Sequence, residues 1–130
     1  MSNIIATFRY DDAPAAIDLL ERAFGFTRHM VTEGPNGTVG HAELRFGDDD
    51  WIMLGSSEVS AEDVHRMGAD QGPSWTYVVL DAPDAHYEQA KAAGAEIVQD
   101  LRDEEYGSRG YTARDPGGNL WTFGTYRPAA

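Results

Sequence analysis

The side chains of this sequence best suited to chemistry are His41 and Glu43, which lie two positions apart. They fall in a strand-like run, residues 39–46, and residues two apart on a strand point to the same face. An imidazole beside a carboxylate can bind a divalent metal, or can work as a general acid and base. A metal would need a third ligand from elsewhere, and the remaining histidines are predicted to be exposed: His29, His65 and His86. The plainer interpretation is that His41 and Glu43 are a polar lining or simply surface.

Other catalytic machinery is missing from the sequence. The chain has no cysteine, which excludes disulfides, thiolate metal sites and cysteine nucleophiles. It has no Gly-x-Ser-x-Gly elbow, no phosphate-binding loop and no Gly-x-Gly-x-x-Gly fingerprint. No residue is therefore assigned a catalytic role, although an acid–base enzyme using Glu43 with His41 stays open.

The net charge limits the partners. The formal charge is −12, from 22 acidic and 10 basic residues among 130. Nucleic acids are bound through Lys and Arg, so this balance argues against a nucleic-acid partner and favours cationic or neutral ligands. The plainer reading of the charge is solubility. No apolar run approaches the roughly 20 residues that span a bilayer, and residues 1–10 do not resemble a secretory signal. We expect no membrane partner and a cytoplasmic location.

An internal repeat organises the chain. Asp12-Ala13-Pro14 recurs 69 positions later as Asp81-Ala82-Pro83. The same ungapped shift aligns four further pairs: Ala16 with Ala85, Gly25 with Gly94, Arg45 with Arg114, and Gly55 with Gly124. Several matches in one register indicate two copies of one structural unit.

Each copy is predicted to be a strand, a helix and three further strands. In the first copy Asp12 is placed to cap the helix and Gly25 to end it, with Ile17, Leu19, Leu20 and Phe24 on its buried side. In the second copy Gly94 ends the helix, and Ala85, Tyr87 and Ala90 are candidates for its buried side. The predicted strands are residues 4–9, 27–32, 39–46 and 51–54, then 75–80, 97–101, 110–114 and 120–126.

The predicted fold is α+β, with two paired βαβββ modules forming a curved mixed sheet around a cleft. We predict a single domain over residues 1–130, with modules at 1–55 and 74–126. The polar linker at 56–73 could hold a short helix starting near Ser60. Edge strands would remain on such a sheet, and pairing with a second chain would protect them, so we expect a homodimer.

Several stretches together resemble the vicinal-oxygen-chelate superfamily, which contains glyoxalases, bleomycin-resistance proteins and extradiol dioxygenases. They are Arg9-Tyr10-Asp11-Asp12 with residues 15–26, His41-Ala42-Glu43-Leu44, Ala85-His86-Tyr87 leading to Ala92-Ala93-Gly94-Ala95, Tyr106-Gly107-Ser108-Arg109, and residues 114–121. The resemblance covers nearly the whole chain and is specific for the fold. It does not specify a reaction, because the superfamily hosts isomerisation, ring cleavage, drug modification and drug binding on one scaffold.

The resemblance also implies where a metal would be held. Enzymes of this superfamily take ligands, usually two His and a carboxylate, from the first strand of each half and the last strand of the second. The matching positions here fall on Ile5, on Ser74 or Trp75, and on Thr122. Isoleucine cannot ligate a metal, tryptophan offers only an N–H donor and threonine is a poor ligand, so no metal or other cofactor is predicted. An optional further carboxylate would correspond to Glu43.

Without those ligands the predicted cleft is apolar and aromatic. The resemblance selects the face of the last strand that carries Thr122, which makes Trp121 a core residue under the helix. The loop at residues 101–110 contains an acidic cluster flanked by Tyr106 and Arg109, and could cover the cleft mouth as a lid. Acidic groups at the mouth and aromatic rings within would suit a cationic or planar aromatic ligand.

The leading hypothesis is a metal-free, homodimeric small-molecule-binding protein that sequesters a drug or metabolite, similar to bleomycin-resistance proteins. The second is a glyoxalase-like lyase, isomerase or dioxygenase with unorthodox metal ligands including Glu43. The third is a member of the superfamily kept as an interaction module. The predicted ligand-binding residues are Ile5, His41, Glu43, Trp75, Tyr106, Arg109, Tyr111 and Thr122.

Overall fold

The computed structural model describes residues 4–57, 73–105 and 107–128. The first module contains β1 (Ala6–Tyr10), α1 (Ala13–Arg22), β2 (Thr27–Glu33), β3 (Val39–Phe46) and β4 (Asp50–Ser56). The second contains β5 (Trp75–Val79), α2 (Pro83–Ala92), β6 (Glu96–Asp103), β7 (Arg109–Arg114) and β8 (Leu120–Gly124). A single 3₁₀ turn, Pro35–Gly37, joins β2 to β3.

Each module forms its own four-stranded mixed sheet. The strand orders are β1-β4-β3-β2 and β5-β8-β7-β6, with the first pair parallel and the others antiparallel in both sheets. The structural elements follow the sequence repeat of 69 positions, because β1 shifted by 69 residues begins and ends at the same positions as β5. The α+β fold of paired βαβββ modules is therefore confirmed. The module boundaries stay a prediction, because most of the linker and its predicted helix lie outside the described residues.

Local sequence signals set the ends of the two helices. The Asp12 carboxylate accepts a hydrogen bond from the Ala15 amide at 3.2 Å, so Asp12 caps α1 as predicted. Gly25 and Gly94 follow the helices with φ of +85° and +90°, a conformation that favours glycine. In the described ranges, no helix is long and apolar enough to cross a membrane.

The core lies between the modules, where the helix-covered faces of the two sheets pack on each other. Trp121 on β8 is fully buried, and its ring lies 5.3 Å from Phe8 on β1 and 5.8 Å from Phe24 after α1, centroid to centroid. Phe24 in turn lies 4.8 Å from Phe123. The prediction that Trp121 packs in the core is correct. Within α2, Tyr87 and Ala90 are buried as predicted, but Ala85 is exposed.

A buried aspartate ties the modules together at one end of this core. Asp115, in the turn between β7 and β8, is only 4% exposed. Its carboxylate accepts hydrogen bonds from the Tyr10 hydroxyl at 2.6 Å and from the Trp121 indole N–H at 2.9 Å. It also accepts from the backbone amides of Gly117 and Asn119 and from the Asn119 side-chain amide. Tyr10 belongs to the first module, so the Asp115 network spans both repeats.

This packing fixes where the uncovered sheet faces lie. Because the helix-covered faces meet in the core, the opposite faces of the two sheets point away from each other. A cleft enclosed by both modules was expected, and a pocket of about 380 Å³ does lie between them, lined among others by Phe26 and Ile52 of the first module and Thr76 and Trp121 of the second. In addition, the two sheets have open faces away from the helices. We call them the first open face (β1–β4) and the second open face (β5–β8).

Candidate functional site

The second open face carries a broad basin of about 710 Å³. This volume is in the range of small-molecule sites. The basin contains two residues of the predicted site, Trp75 and Thr122, which stand on the paired strands β5 and β8. The complete lining is Trp75, Tyr77, Val98, Gln99, Arg102, Glu104, Thr112 and Thr122.

The floor of the basin is a hydrogen-bonded group of three side chains, which we call the Trp75 cluster. The Trp75 indole N–H donates to the Thr122 hydroxyl at 2.8 Å. Thr122 and Thr112 sit opposite each other on β8 and β7, and their hydroxyl oxygens are 2.8 Å apart. The Trp75 side chain is nevertheless 70% exposed. An indole held by its N–H leaves its aromatic face available to a ligand.

One wall of the basin carries an ion pair. The Arg102 guanidinium donates to the Glu104 carboxylate at 2.7 Å. In the amide orientation that satisfies both groups, the Gln99 carbonyl oxygen accepts from Arg102 at 3.1 Å. These partners hold the arginine and cancel its charge locally, although exposed pairs of this kind are worth little in stability.

The first open face carries the other half of the predicted site. Ile5 precedes β1 and is 40% exposed. By strand alternation Ile5 shares a face with Thr7 on β1. Thr7 pairs with Met53 on β4, and Met53 pairs with Glu43 on β3, so Glu43 lies on the same face. The His41 imidazole lies 3.1 Å from the Glu43 carboxylate, and both side chains are about one-third exposed. The prediction that these two side chains meet on one face is therefore correct.

The residues at the superfamily's metal positions do not fit a divalent ion. Ile5 has no donor atom, and it lies on the opposite side of the chain from Trp75 and Thr122. The Thr122 hydroxyl is already engaged by Trp75 and Thr112. Within residues 4–57, 73–105 and 107–128, no three His, Asp or Glu side chains converge as a metal site would require.

Two further predicted ligand contacts, Tyr111 and Arg109, direct their side chains towards α2, although both residues also line a small pocket that includes Thr122. Tyr111 is fully buried against Phe123 and Tyr87, because it alternates with Thr112 along β7 and so faces α2. The Arg109 guanidinium also lies on the α2 side, where it bonds the Asp84 carboxylate at 2.8 Å. The hydrogen bond from the Arg109 guanidinium holds the pKa of Asp84 below its usual range. Tyr106 lies outside the described residues.

His86 corrects another expectation, because it is partly buried between the modules instead of exposed. Its Nε2 lies 2.7 Å from the Phe24 carbonyl oxygen, which can only accept, so Nε2 carries the proton. Its Nδ1 is then free to accept from the Tyr111 hydroxyl at 2.6 Å. Burial lowers the pKa of His86, and the bond to Phe24 opposes this only in part. Burial also raises the pKa of Tyr111.

His86 predicts an acid-sensitive contribution to stability. A histidine whose pKa is lowered by folding is kept neutral in the native state, whereas the unfolded state takes up a proton below the ordinary value of 6.5. The contribution is therefore fully present above pH 6.5 and is lost as the pH falls towards the lowered folded pKa. We expect the melting temperature of the wild type to fall more steeply between pH 7.5 and pH 5 than that of His86→Gln.

The matched control is His29→Gln, because His29 is exposed and lies edge-on to Trp51. It should keep the wild-type pH profile. Identical profiles for wild type and His86→Gln would show that the His86 proton is not linked to folding.

A protein-family model described as Glyoxalase/Bleomycin resistance protein/Dioxygenase superfamily matches residues 4–123. The chain belongs to this superfamily. Its sequence is 31% identical over 121 residues to an uncharacterized protein of Mycobacterium bovis, covering 88% of this chain and 76% of that protein. The crystal structure of TioX from Micromonospora sp. ML1 matches with a TM-score of 0.76 and 30% identity, covering 99% of each chain.

A second solved structure of the superfamily shares the fold at lower sequence identity. It is a bleomycin-binding protein from bleomycin-producing Streptomyces verticillus, complexed with copper(II)-bleomycin. It matches with a TM-score of 0.63 and 21% identity over 98% of each chain.

Most residues of the basin were not predicted from the sequence. Thr112, Tyr77 and Arg102 all line it and were not singled out. The signal that could have found Thr112 is strand pairing: once Thr122 is placed facing outwards, its cross-strand partner must face outwards too. Whether any of the predicted residues contacts a ligand stays a prediction.

Proposed function

We propose that this chain is a metal-free small-molecule-binding protein that sequesters a drug or metabolite without altering it and needs no cofactor. The observation that carries the proposal is the Trp75 cluster. At the positions where the superfamily's enzymes hold a metal, this chain has an aliphatic residue, an anchored indole and a hydroxyl bonded to another hydroxyl. The basin above the indole has the size and aromatic character of a binding site.

The comparisons support a binding role without specifying the ligand. A protein with this fold is described as bleomycin-binding, so the scaffold is compatible with holding a drug. By this analogy the protein would act in the cytoplasm and could confer resistance to an antibiotic. The net charge of −12 favours cationic or neutral ligands over anions.

The binding site requires a second copy of the chain to be enclosed. A ligand on the second open face would be covered on one side only, and both open faces leave large apolar side chains exposed, among them Trp75, Val98 and Met30. A two-fold axis that laid the first open face of one copy over the second open face of the other would create two equivalent clefts. His41 and Glu43 would then face the Trp75 cluster across each cleft.

We therefore expect a homodimer in solution, with twice the monomer mass of 14.3 kDa by light scattering. Val98→Glu would place a charge on the exposed second open face, within the proposed contact, and should shift the protein towards the monomer. The control is Ala85→Glu, which adds the same charge at an exposed position of helix α2, outside both open faces. A monomeric wild type at micromolar concentration would rule out the shared cleft.

Ligand binding is tested by a thermal-shift screen of cationic drugs and neutral planar aromatics. A ligand that binds only the folded state stabilises it by about 2.7 kcal/mol at a hundredfold excess over Kd, so true ligands should raise the melting temperature. Trp75→Ala should reduce the shift while leaving the melting temperature of the free protein nearly unchanged. If no compound raises the melting temperature at high excess, the binding proposal fails.

A second candidate function is a glyoxalase-like lyase, isomerase or dioxygenase whose metal is held by unorthodox ligands. The His41–Glu43 pair favours it, because two potential ligands already lie 3.1 Å apart. Elemental analysis of protein purified without chelator separates the candidates. Stoichiometric metal that is lost in the His41→Gln/Glu43→Gln double variant would favour the enzyme and count against the metal-free binding protein.

A further inference from the structure

The hydrogen bonds of the Trp75 cluster leave a donor unused. The cluster contains three donors, namely the Trp75 indole N–H and the hydroxyls of Thr112 and Thr122, but only two hydrogen bonds join its members. Whichever threonine donates to the other, one O–H proton has no acceptor within the cluster. Neither hydroxyl has another hydrogen-bond partner among the residues that the structure describes.

A donor in this position selects for an acceptor on the ligand. In the free protein, water can accept from the spare hydroxyl, because Thr122 is partly exposed at the basin floor. A ligand that covers the floor removes this water, and it must then supply an acceptor of its own or leave the donor unsatisfied. Discrimination against analogues without the acceptor follows from the same cost.

The charges around the basin indicate that the acceptor is neutral. The basin is lined by one cation, Arg102, and one anion, Glu104, and these are already paired with each other. A carboxylate on the ligand would find no uncommitted cation there, and a cationic group would find no uncommitted carboxylate. The Glu43 carboxylate that the proposed dimer brings across the cleft also has a partner, because it lies 3.1 Å from the His41 imidazole. The local environment therefore favours an uncharged carbonyl oxygen.

The Trp75 side chain supplies the second element of recognition. It is 70% exposed, and its N–H bond to Thr122 fixes the indole beside the spare hydroxyl. A fixed indole face favours a flat ring system through offset stacking. Tyr77, on the same face two residues along β5, is also exposed and extends the aromatic surface.

We propose that the ligand of the second open face is a neutral, planar, fused-ring compound with a carbonyl oxygen that accepts a hydrogen bond from the Thr112–Thr122 pair while its rings stack on Trp75. This inference rests on the proposed binding function and narrows it to one ligand class. It predicts two separable contributions to affinity, one from the hydroxyls and one from the indole.

The test uses 9-fluorenone and fluorene, two tricycles that differ by one carbonyl, with N-methylacridinium as a planar cation that lacks the acceptor. Binding to the purified full-length protein is measured by equilibrium dialysis. Wild type should bind 9-fluorenone about 3- to 10-fold more tightly than either of the other compounds. This ratio corresponds to the net free-energy contribution of a neutral hydrogen bond.

Two variants separate the contributions. Thr112→Val/Thr122→Val keeps the side-chain shapes but removes both hydroxyls, and it should bring the ratio of 9-fluorenone to fluorene affinity close to one. Trp75→Leu should weaken both compounds by about fivefold and preserve that ratio, because a spare hydroxyl remains. Thr76→Val is the control, since Thr76 is adjacent on β5 but lies on the helix-covered face beside Trp121. It should change neither affinity.

Circular dichroism and melting temperature establish that each variant is folded. Equal affinities of wild type for the two neutral tricycles, or tighter binding of N-methylacridinium that survives the double valine variant, would overturn the carbonyl inference and leave the binding function standing. Failure of all three probes would also overturn the inference. The binding function itself fails only if the broader thermal-shift screen also finds no ligand.

Discussion

Replacing Asp115 with alanine is expected to lower the free energy of unfolding by about 3–5 kcal/mol, the cost of removing one partner from a buried charged network. The Asp115 carboxylate is the shared acceptor for the Tyr10 hydroxyl and the Trp121 indole N–H, which come from different modules. Both donors would remain buried without an acceptor, and each unsatisfied donor costs about 1–3 kcal/mol. The backbone amides of Gly117 and Asn119 would also lose their acceptor, which would loosen the turn between β7 and β8.

The change is measured by chemical denaturation, and the melting temperature should fall by about 10–20 °C. Tyr10→Phe removes a single hydrogen bond from this network and should cost clearly less. The control is Asp49→Ala, since Asp49 is an exposed residue of the turn between β3 and β4 and should shift stability by no more than about 0.5 kcal/mol. If Asp115→Ala behaves like Asp49→Ala, the network does not hold the modules together.

The sequence predicts the architecture well because the fold is built twice. The Asp-Ala-Pro repeat and the glycines at 25 and 94 establish the order of the elements, and each of these signals is local. Alternation along β8 also separates Trp121 from Thr122 correctly, since the two faces of a strand differ by one residue. The ends of the strands match the predicted ends to within two residues.

Alternation was not carried across to β7, and this explains why the burial of Tyr111 was not predicted. Tyr111 was assigned to the cleft as an aromatic residue on a strand that was expected to line it. Strand pairing places it opposite Phe123, on the buried face, and leaves Thr112 opposite Thr122 on the open face. Residue type suggested a ligand contact, whereas the register determines which face the side chain occupies.

The arrangement of the two modules depends on contacts that no local pattern reveals. His86 is buried because the Phe24 carbonyl oxygen, 62 residues earlier in the chain, lies 2.7 Å from its ring. Helix α2 is polar enough that an exposed histidine was the reasonable expectation. The helix-covered faces pack together because of the aromatic contacts between the modules. Ile5 and Trp75 face opposite sides as a consequence.

Two tryptophans provide the sharpest test of this arrangement, because the same substitution should lower stability strongly at one and only slightly at the other. Trp121→Ala is expected to cost about 3–5 kcal/mol, since the side chain is fully buried among Phe8, Phe24 and Phe123 and its removal leaves a large cavity. Trp75→Ala should change the free energy of unfolding of the unliganded protein by no more than about 1 kcal/mol, because Trp75 is 70% exposed and donates one hydrogen bond near the surface.

The comparison separates folding from binding within one experiment. The two residues stand on the neighbouring strands β5 and β8, and Trp121 lies one position before Thr122, the residue that anchors Trp75. If the two sheet faces have the roles assigned here, denaturation should report on Trp121 and ligand-induced stabilisation should report on Trp75. Equal losses of stability in both variants would mean that the second open face is covered in solution by a contact that contributes to folding, such as an obligate dimer interface, in place of an accessible binding basin.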